Sequence, residues 1–225
     1  MSILDKWREV NETIARHTRR EVAIVAVTKG RTADEIRQVV AAGATMLGEN
    51  RIEEVERKIV ATTLAHELAN VQIHMIGHVQ SRKAREAVKL FQCIQSVDSV
   101  KLAREIEKRC VEADIPGIDV LIEANIGGEE QKYGVQPAEA EALAAEILKL
   151  PHLRLKGLMT MAPYANDEKV VRAVFGGLRD LGETLGRAWG ANHFAVLSMG
   201  MSHDYPIACE EGSTMLRIGS ALFQP

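Results

Sequence analysis

Cysteine is scarce. The three cysteines, Cys93, Cys110 and Cys209, lie far apart in 225 residues, and no CxxC pair occurs. A disulfide framework and a thiolate metal site are both disfavoured, no metal ligands are assigned, and a reducing, cytoplasmic setting is expected. Excess charge is also missing: 28 Lys and Arg against 31 Asp and Glu give a formal net charge of −3. No basic field invites nucleic acid. No apolar run reaches the roughly 18 residues that cross a bilayer. The N-terminus MSILDKWREV lacks a basic stretch followed by an apolar core, so no membrane segment or signal peptide is expected. Neither a GxxxxGK(S/T) loop nor a GxGxxG after a strand is present, which leaves nucleotide binding by those routes unsupported. Linkers and low-complexity tracts are absent too. What remains is ordinary: 46% hydrophobic and 26% charged residues, as in soluble domains. The length suits a single domain, 1–225, able to bury about 70% of its unfolded surface.

What is present is alternation. Short apolar runs rich in β-branched residues precede longer segments of helical period. Residues 22–28 (VAIVAVT) are apolar at nearly every position, as in a parallel strand buried on both faces. Thr32-Ala-Asp-Glu35 is a capping-box pattern, after which Ile36, Val39, Val40 and Gly43 fall on one helical face. Further strands are predicted near 44–48, 71–78, 93–98, 118–126, 154–161, 194–200 and 214–222. Between them, Leu102, Ile106 and Cys110 share a face. Pro137 suits a first helical turn, and Val171, Val174, Phe175, Leu178, Leu185 and Trp189 form a stripe. The weakest helix is centred on Tyr205–Glu211. Eight βα units in series favour a closed (β/α)8 TIM barrel, an α/β fold, over an open sheet. No helix is expected after the eighth strand. An extra N-terminal helix, with Ile3, Trp7, Val10 and Ile14 on one face, is expected to cover that gap.

In such barrels the site lies at the C-terminal ends of the strands. Lys29 follows six apolar residues there. Period 2 places it on a face with Ala23, Val25 and Val27. Burial would depress its pKa and free a nucleophilic amine; alternatively the chain snorkels to solvent. Ser198–Ser202 and Gly219-Ser220 are small enough for backbone N–H groups to meet a phosphate after strands seven and eight, or they are simply turns. Arg217, inside an apolar strand, needs an acceptor or a ligand: either a structural ion pair or a hydrogen bond to a ligand nitrogen or phosphate. His74 and His78 lie about 13 Å apart if both are on one strand, too far for one metal; each reads as a core histidine with a satisfied hydrogen bond. Cys209 reads as a small buried residue.

Several segments then occur in order: Val25-Ala-Val-Thr-Lys29, Leu47-Gly-Glu-Asn50, residues 73–81 (IHMIGHVQS), residues 94–99 (IQSVDS), and Asn125-Ile-Gly-Gly-Glu129 with Lys132 and Gly134. Gly157-Leu-Met-Thr160, residues 197–202 (LSMGMS), and Gly212-Ser-Thr with Arg217-Ile-Gly219 follow. Together they resemble the YggS/PROSC family of pyridoxal phosphate homeostasis proteins across nearly the whole chain. The resemblance implies a barrel like the N-terminal domain of bacterial alanine racemase. It also implies pyridoxal 5′-phosphate (PLP) held as a Schiff base on Lys29. Ser198, Met199, Gly200, Met201, Ser202, Gly219 and Ser220 match the phosphate-binding positions, Arg217 the arginine facing the pyridine nitrogen, and Asn50 an asparagine near the ring. An arginine partner leaves the ring a poorer electron sink than an aspartate does. Thr28 stands where serine is frequent, and Phe223-Gln-Pro225 departs from the usual ending.

The expected function is a non-catalytic PLP carrier supplying apoenzymes, a monomer without metal. The alternatives are a PLP-dependent enzyme such as an amino acid racemase, and a Schiff-base aldolase without PLP. A racemase needs a base on each face of the substrate α-carbon. None of Tyr133, Tyr164 and Tyr205 is an obvious second base, and no second domain is expected.

Overall fold

The structure, a computed structural model, describes every residue except 61–63, 130, 166 and 225. Pro225, noted above, lies outside the described residues. The strands are β1 (Ala23–Val27), β2 (Met46–Glu49), β3 (Gln72–Met75), β4 (Cys93–Val97), β5 (Ile118–Glu123), β6 (Leu153–Met159), β7 (Val196–Met201) and β8 (Met215–Ile218). They form a closed parallel barrel in sequence order, with β8 pairing back onto β1. The (β/α)8 architecture is therefore as expected.

The helices alternate with the strands: α1 (Ile3–His17), α2 (Ala33–Ala41), α3 (Ile52–Val55), α4 (Leu64–Glu67), α5 (Ala84–Leu90), α6 (Val100–Glu112), α7 (Pro137–Ile147), α8 (Glu168–Trp189), α9 (Tyr205–Glu210) and α10 (Ser220–Phe223). A π-helical turn, Glu56–Val60, extends α3. The Thr32 capping box forms: Thr32 Oγ1 accepts from Glu35 N at 3.2 Å, and Glu35 Oε2 accepts from Thr32 N at 2.8 Å. Pro137 opens α7, where its missing N–H costs nothing.

Ile36, Val39, Leu102, Ile106, Val174, Phe175 and Leu178 sit between helices and barrel, all buried. Full burial of one such side chain contributes roughly 1.5–3 kcal/mol. α1 packs against α2, α9 and α10, in the place of an eighth full-length helix, with Val10 and Ile14 buried. Lys6 lays its stem in this interface and donates from Nζ to the Gln224 carbonyl.

Several boundaries differ from expectation. Gly43 is not on the helix face: α2 stops at Ala41, and Gly43 takes φ +117° in the turn that follows. The third strand ends at Met75, not at residue 78. A Cβ on Gly77 would lie 2.4 Å from the Asn50 carbonyl, so the chain here crosses closely over the end of β2. The eighth strand ends at Ile218, and the single turn of α10 follows it where no helix was expected. Among the described residues, no helix is long and apolar enough to cross a membrane.

Candidate functional site

Lys29 sits in a tight turn at the top of β1. Arg31 N donates to the Thr28 carbonyl at 3.0 Å, closing a four-residue turn with Lys29 and Gly30 at its centre. Gly30 has φ +69°, the left-handed geometry that glycine adopts at no steric cost in the third position of such a turn. Thr28 is fully buried, whereas Lys29 is exposed. The expected burial of Lys29 is therefore not found: β1 ends at Val27 and the turn lifts the side chain into an open cavity. No acceptor engages Lys29 Nζ among the described residues.

That cavity, about 350 Å³, lies at the mouth of the barrel. It falls within the roughly 300–1,000 Å³ typical of small-ligand sites. Lys29, Asn50, Met201, Ser202, Arg217, Gly219 and Ser220 all line it. Ser202 Oγ accepts from Gly219 N and from Ala221 N, each at 3.1 Å, so two backbone donors converge on one point beside the cavity. Met201 N donates to Asp204 Oδ1 at 2.5 Å, which fixes the turn that presents Ser202. Met161, expected at the site end of the sixth strand, lines the cavity, as do Arg31, Ile76, His203 and Gln224, which were not anticipated. They come from loops after several different strands, where no periodicity marks them.

Ser198, Met199 and Gly200 do not line the cavity. The β7–β8 register shifts between Ser198 and Met201, and Gly200 has φ +96°. This bulge divides the segment by direction, as bulges beside sites do. Ser198 is buried inside the barrel, and Met199 packs outward into the core. A Cβ on Gly200 would lie 2.5 Å from that of Ala208. The Gly212-Ser-Thr segment is a structural tie: Ser213 Oγ donates to the Met199 carbonyl at 2.8 Å, and Thr214 Oγ1 accepts from Leu197 N at 2.8 Å.

Beneath the cavity runs a buried polar chain. Arg217 Nη1 donates to the Ser198 carbonyl (2.8 Å) and Oγ (2.7 Å), and Nη2 donates to the Thr160 carbonyl (2.8 Å). Ser198 Oγ donates to Gln95 Oε1 at 2.7 Å. Gln95 Nε2 lies 2.9 Å from His74 Nδ1, whose Nε2 lies 3.2 Å from Gln72 Oε1. His74 is thus the satisfied core histidine expected, and burial pushes its pKa down to about 4. Burial lowers Arg217 to about 10, opposed by Glu123 and Asp204, so it remains a cation at neutral pH. Burial, with Asp98 adding to it, raises Glu123 to about 7. The structural ion pair expected as one reading of Arg217 is not found among the described residues: its acceptors are two backbone carbonyls and a hydroxyl, and the side chain also lines the cavity. His78 departs from expectation. It lies beyond β3, half-buried, 3.2 Å from Asp98 Oδ2 and stacked on Tyr133 with ring centres 3.9 Å apart. Cys209 is buried, and burial raises its thiol to about 11. Among the described residues no cluster of ligands could hold a metal.

The fold and cavity define a (β/α)8 barrel of the alanine racemase N-terminal-domain class; that domain family's model matches residues 3–225. The Aquifex aeolicus pyridoxal phosphate homeostasis protein is 40% identical over 188 residues, covering 84% of this chain and 80% of that protein. The crystal structure of an unknown protein from Bifidobacterium adolescentis superposes with a TM-score of 0.92 at 36% identity, covering 98% of this chain and 94% of the other. PipY of Synechococcus elongatus with PLP bound gives 0.87 at 30% identity, covering 99% and 100%. The chain belongs to the pyridoxal phosphate homeostasis protein family.

Proposed function

We propose that the barrel mouth holds PLP covalently on Lys29, and that the protein stores and delivers this cofactor in the cytoplasm rather than catalysing a reaction with it. The observation that carries this reading is the convergence, in one cavity, of the Lys29 amine, the Arg217 cation and the Ser202 and Ser220 hydroxyls. The fit is chemical. The cofactor supplies an aldehyde that condenses with a primary amine, and Lys29 is exposed with no partner for its Nζ among the described residues. A phosphate needs several donors at a small-residue turn. The Ser202 and Ser220 hydroxyls on the cavity wall serve that need, whereas Gly219 N and Ala221 N already donate to Ser202 Oγ and the Ser198 hydroxyl to Gln95. Asn50 lies on the cavity wall. Arg217 uses three of its five N–H donors on Ser198 and Thr160, leaving donors to face a ring nitrogen. A guanidinium there disfavours protonating that nitrogen and so weakens carbanion chemistry.

The carrier reading is favoured over a racemase by the tyrosines. Tyr133 is stacked on His78, Tyr164 is 87% exposed, and Tyr205 is buried in α9. None lines the cavity among the described residues. The names of relatives such as the Aquifex protein point the same way. The protein is expected to act as a monomer, delivering PLP to apoenzymes.

The test is an absorbance spectrum of purified protein with PLP, followed by borohydride reduction and peptide mass spectrometry. Wild type should be yellow and carry the reduced cofactor on Lys29, and Lys29→Ala should carry none. A protein that stays colourless with added PLP would overturn the cofactor reading. Turnover of free alanine or serine that disappears in Lys29→Ala would overturn the carrier reading.

A further inference from the structure

A second group of charged residues lies directly behind the Lys29 turn. Lys58 Nζ donates to Glu49 Oε1 at 2.7 Å and to the Thr28 carbonyl at 2.9 Å, and it lies 3.1 Å from Glu54 Oε2. Thr28 Oγ1 donates to the same Glu49 oxygen at 2.7 Å. Glu54 Oε2 accepts from the Gly30 backbone N–H at 3.0 Å. The two residues flanking Lys29 are thus each held by a side chain from the segment after β2. None of these bonds reaches Lys29 itself, whose side chain stays free in the cavity.

Burial makes the arrangement costly, and the pairing is on one oxygen: Glu49 Oε2 is buried with no hydrogen-bond partner among the described residues. The Glu49 side chain is wholly buried and that of Lys58 is only 10% exposed. A buried carboxylate without its counter-charge is strongly unfavourable, and burial already raises the Glu49 pKa against the pull of Lys58 and Thr28. The local helix is also irregular. Lys58 lies in the π-helical turn Glu56–Val60, directly after α3. π-turns recur at functional sites because the extra residue re-aims a helix face. Here Ile52, Val55 and Ile59 face the core while Glu54 and Lys58 face the turn.

We propose that Glu49, Glu54 and Lys58 form a clamp that fixes the backbone of the Lys29 turn and thereby positions the Lys29 amine for covalent capture of its ligand. These are positioning residues, and the inference rests on the cofactor reading above. Their value follows from geometry: a misplacement of about 1 Å at a reacting group can cost ~100-fold in rate.

The experiment uses the full chain as wild type, Glu54→Ala, Glu54→Gln, Lys58→Met and the double variant Glu49→Gln/Lys58→Met. The double variant removes both buried charges together, in case Lys58→Met alone does not fold. Two quantities are measured on folded protein: amide hydrogen exchange at Gly30, and the rate at which PLP becomes borohydride-fixed to Lys29. Glu54→Ala and the Lys58 variants should accelerate Gly30 exchange and slow capture about tenfold or more, with exchange in α6 unchanged. Glu54→Gln keeps an oxygen acceptor for Gly30 N–H and should resemble wild type. Wild-type capture rates in Glu54→Ala and the double variant would overturn the clamp. So would a loss of capture that only tracks the loss of folded protein, with Gly30 exchange unchanged. Failure of wild type to capture PLP would instead overturn the cofactor reading, while the Gly30 exchange data would still test the clamp.

Discussion

Ser202 accepts two backbone N–H bonds at the mouth of the barrel and lines the cavity. Replacing it with alanine should weaken PLP binding about tenfold, as expected for loss of one hydrogen bond to a charged group worth ~1.5 kcal/mol. Binding of pyridoxal, which lacks the phosphate, should not change. Equilibrium dialysis with both ligands checks this, and equal losses for the two would show that Ser202 does not serve the phosphate. Residues of this kind were legible in sequence because chemistry restricts them: a lysine ending an apolar strand, an arginine inside one, glycine and serine in the last two strand loops. Ser198 was misplaced because a string of letters does not show a bulge. The shift between Ser198 and Met201 alone decides which of five consecutive residues reach the cavity. Arg31 and His203 carried no such mark, since neighbours across a barrel mouth are remote in sequence.

At the scale of elements, α1 stands in for a full-length eighth helix. Its apolar stripe was visible in the spacing of Ile3, Trp7, Val10 and Ile14, and its docking followed from the strand count. Ile14 is buried on the helix that packs against α2, α9 and α10. Ile14→Ala should therefore destabilise the fold by about 2–4 kcal/mol, the usual cost of truncating a buried isoleucine. A denaturation midpoint that moves without a change in slope would confirm a pure stability effect. The strands were legible for a related reason: a parallel strand buried on both faces reads as an unbroken apolar run. Their ends were less legible. β3 stops early because Gly77 crosses Asn50, and β8 yields to α10 at Gly219, both set by contacts with residues far along the chain.

For the whole molecule, the barrel interior holds two groups whose proton affinities move in opposite directions. His74 falls to about 4 from 6.5, so between those values the unfolded state binds more protons and stability rises with pH. Glu123 rises to about 7 from 4.5, so over that window the native state binds more protons and stability falls as pH rises. Between pH 4.5 and 6.5 the two contributions oppose each other. Glu123→Gln removes one of them. Its stability relative to wild type should climb as pH rises from about 4.5 to about 7. Urea midpoints at half-unit pH steps measure this, and a difference that stays constant with pH would show that Glu123 ionises alike in the folded and unfolded chain.

The pairing of Ala23 with Met215 joins the first strand to the last, and Lys29 and Arg217 stand on opposite sides of that seam. Contacts so distant in sequence carry a large loop-closure entropy and tend to form late. The amine and the arginine therefore face one another only once the ring of strands has shut. A half-assembled chain, however much helix it has gained, has nowhere to hold the ligand. Ligand uptake during refolding thus marks the moment of closure, and a ligand present at that moment favours the closed ring over every open precursor.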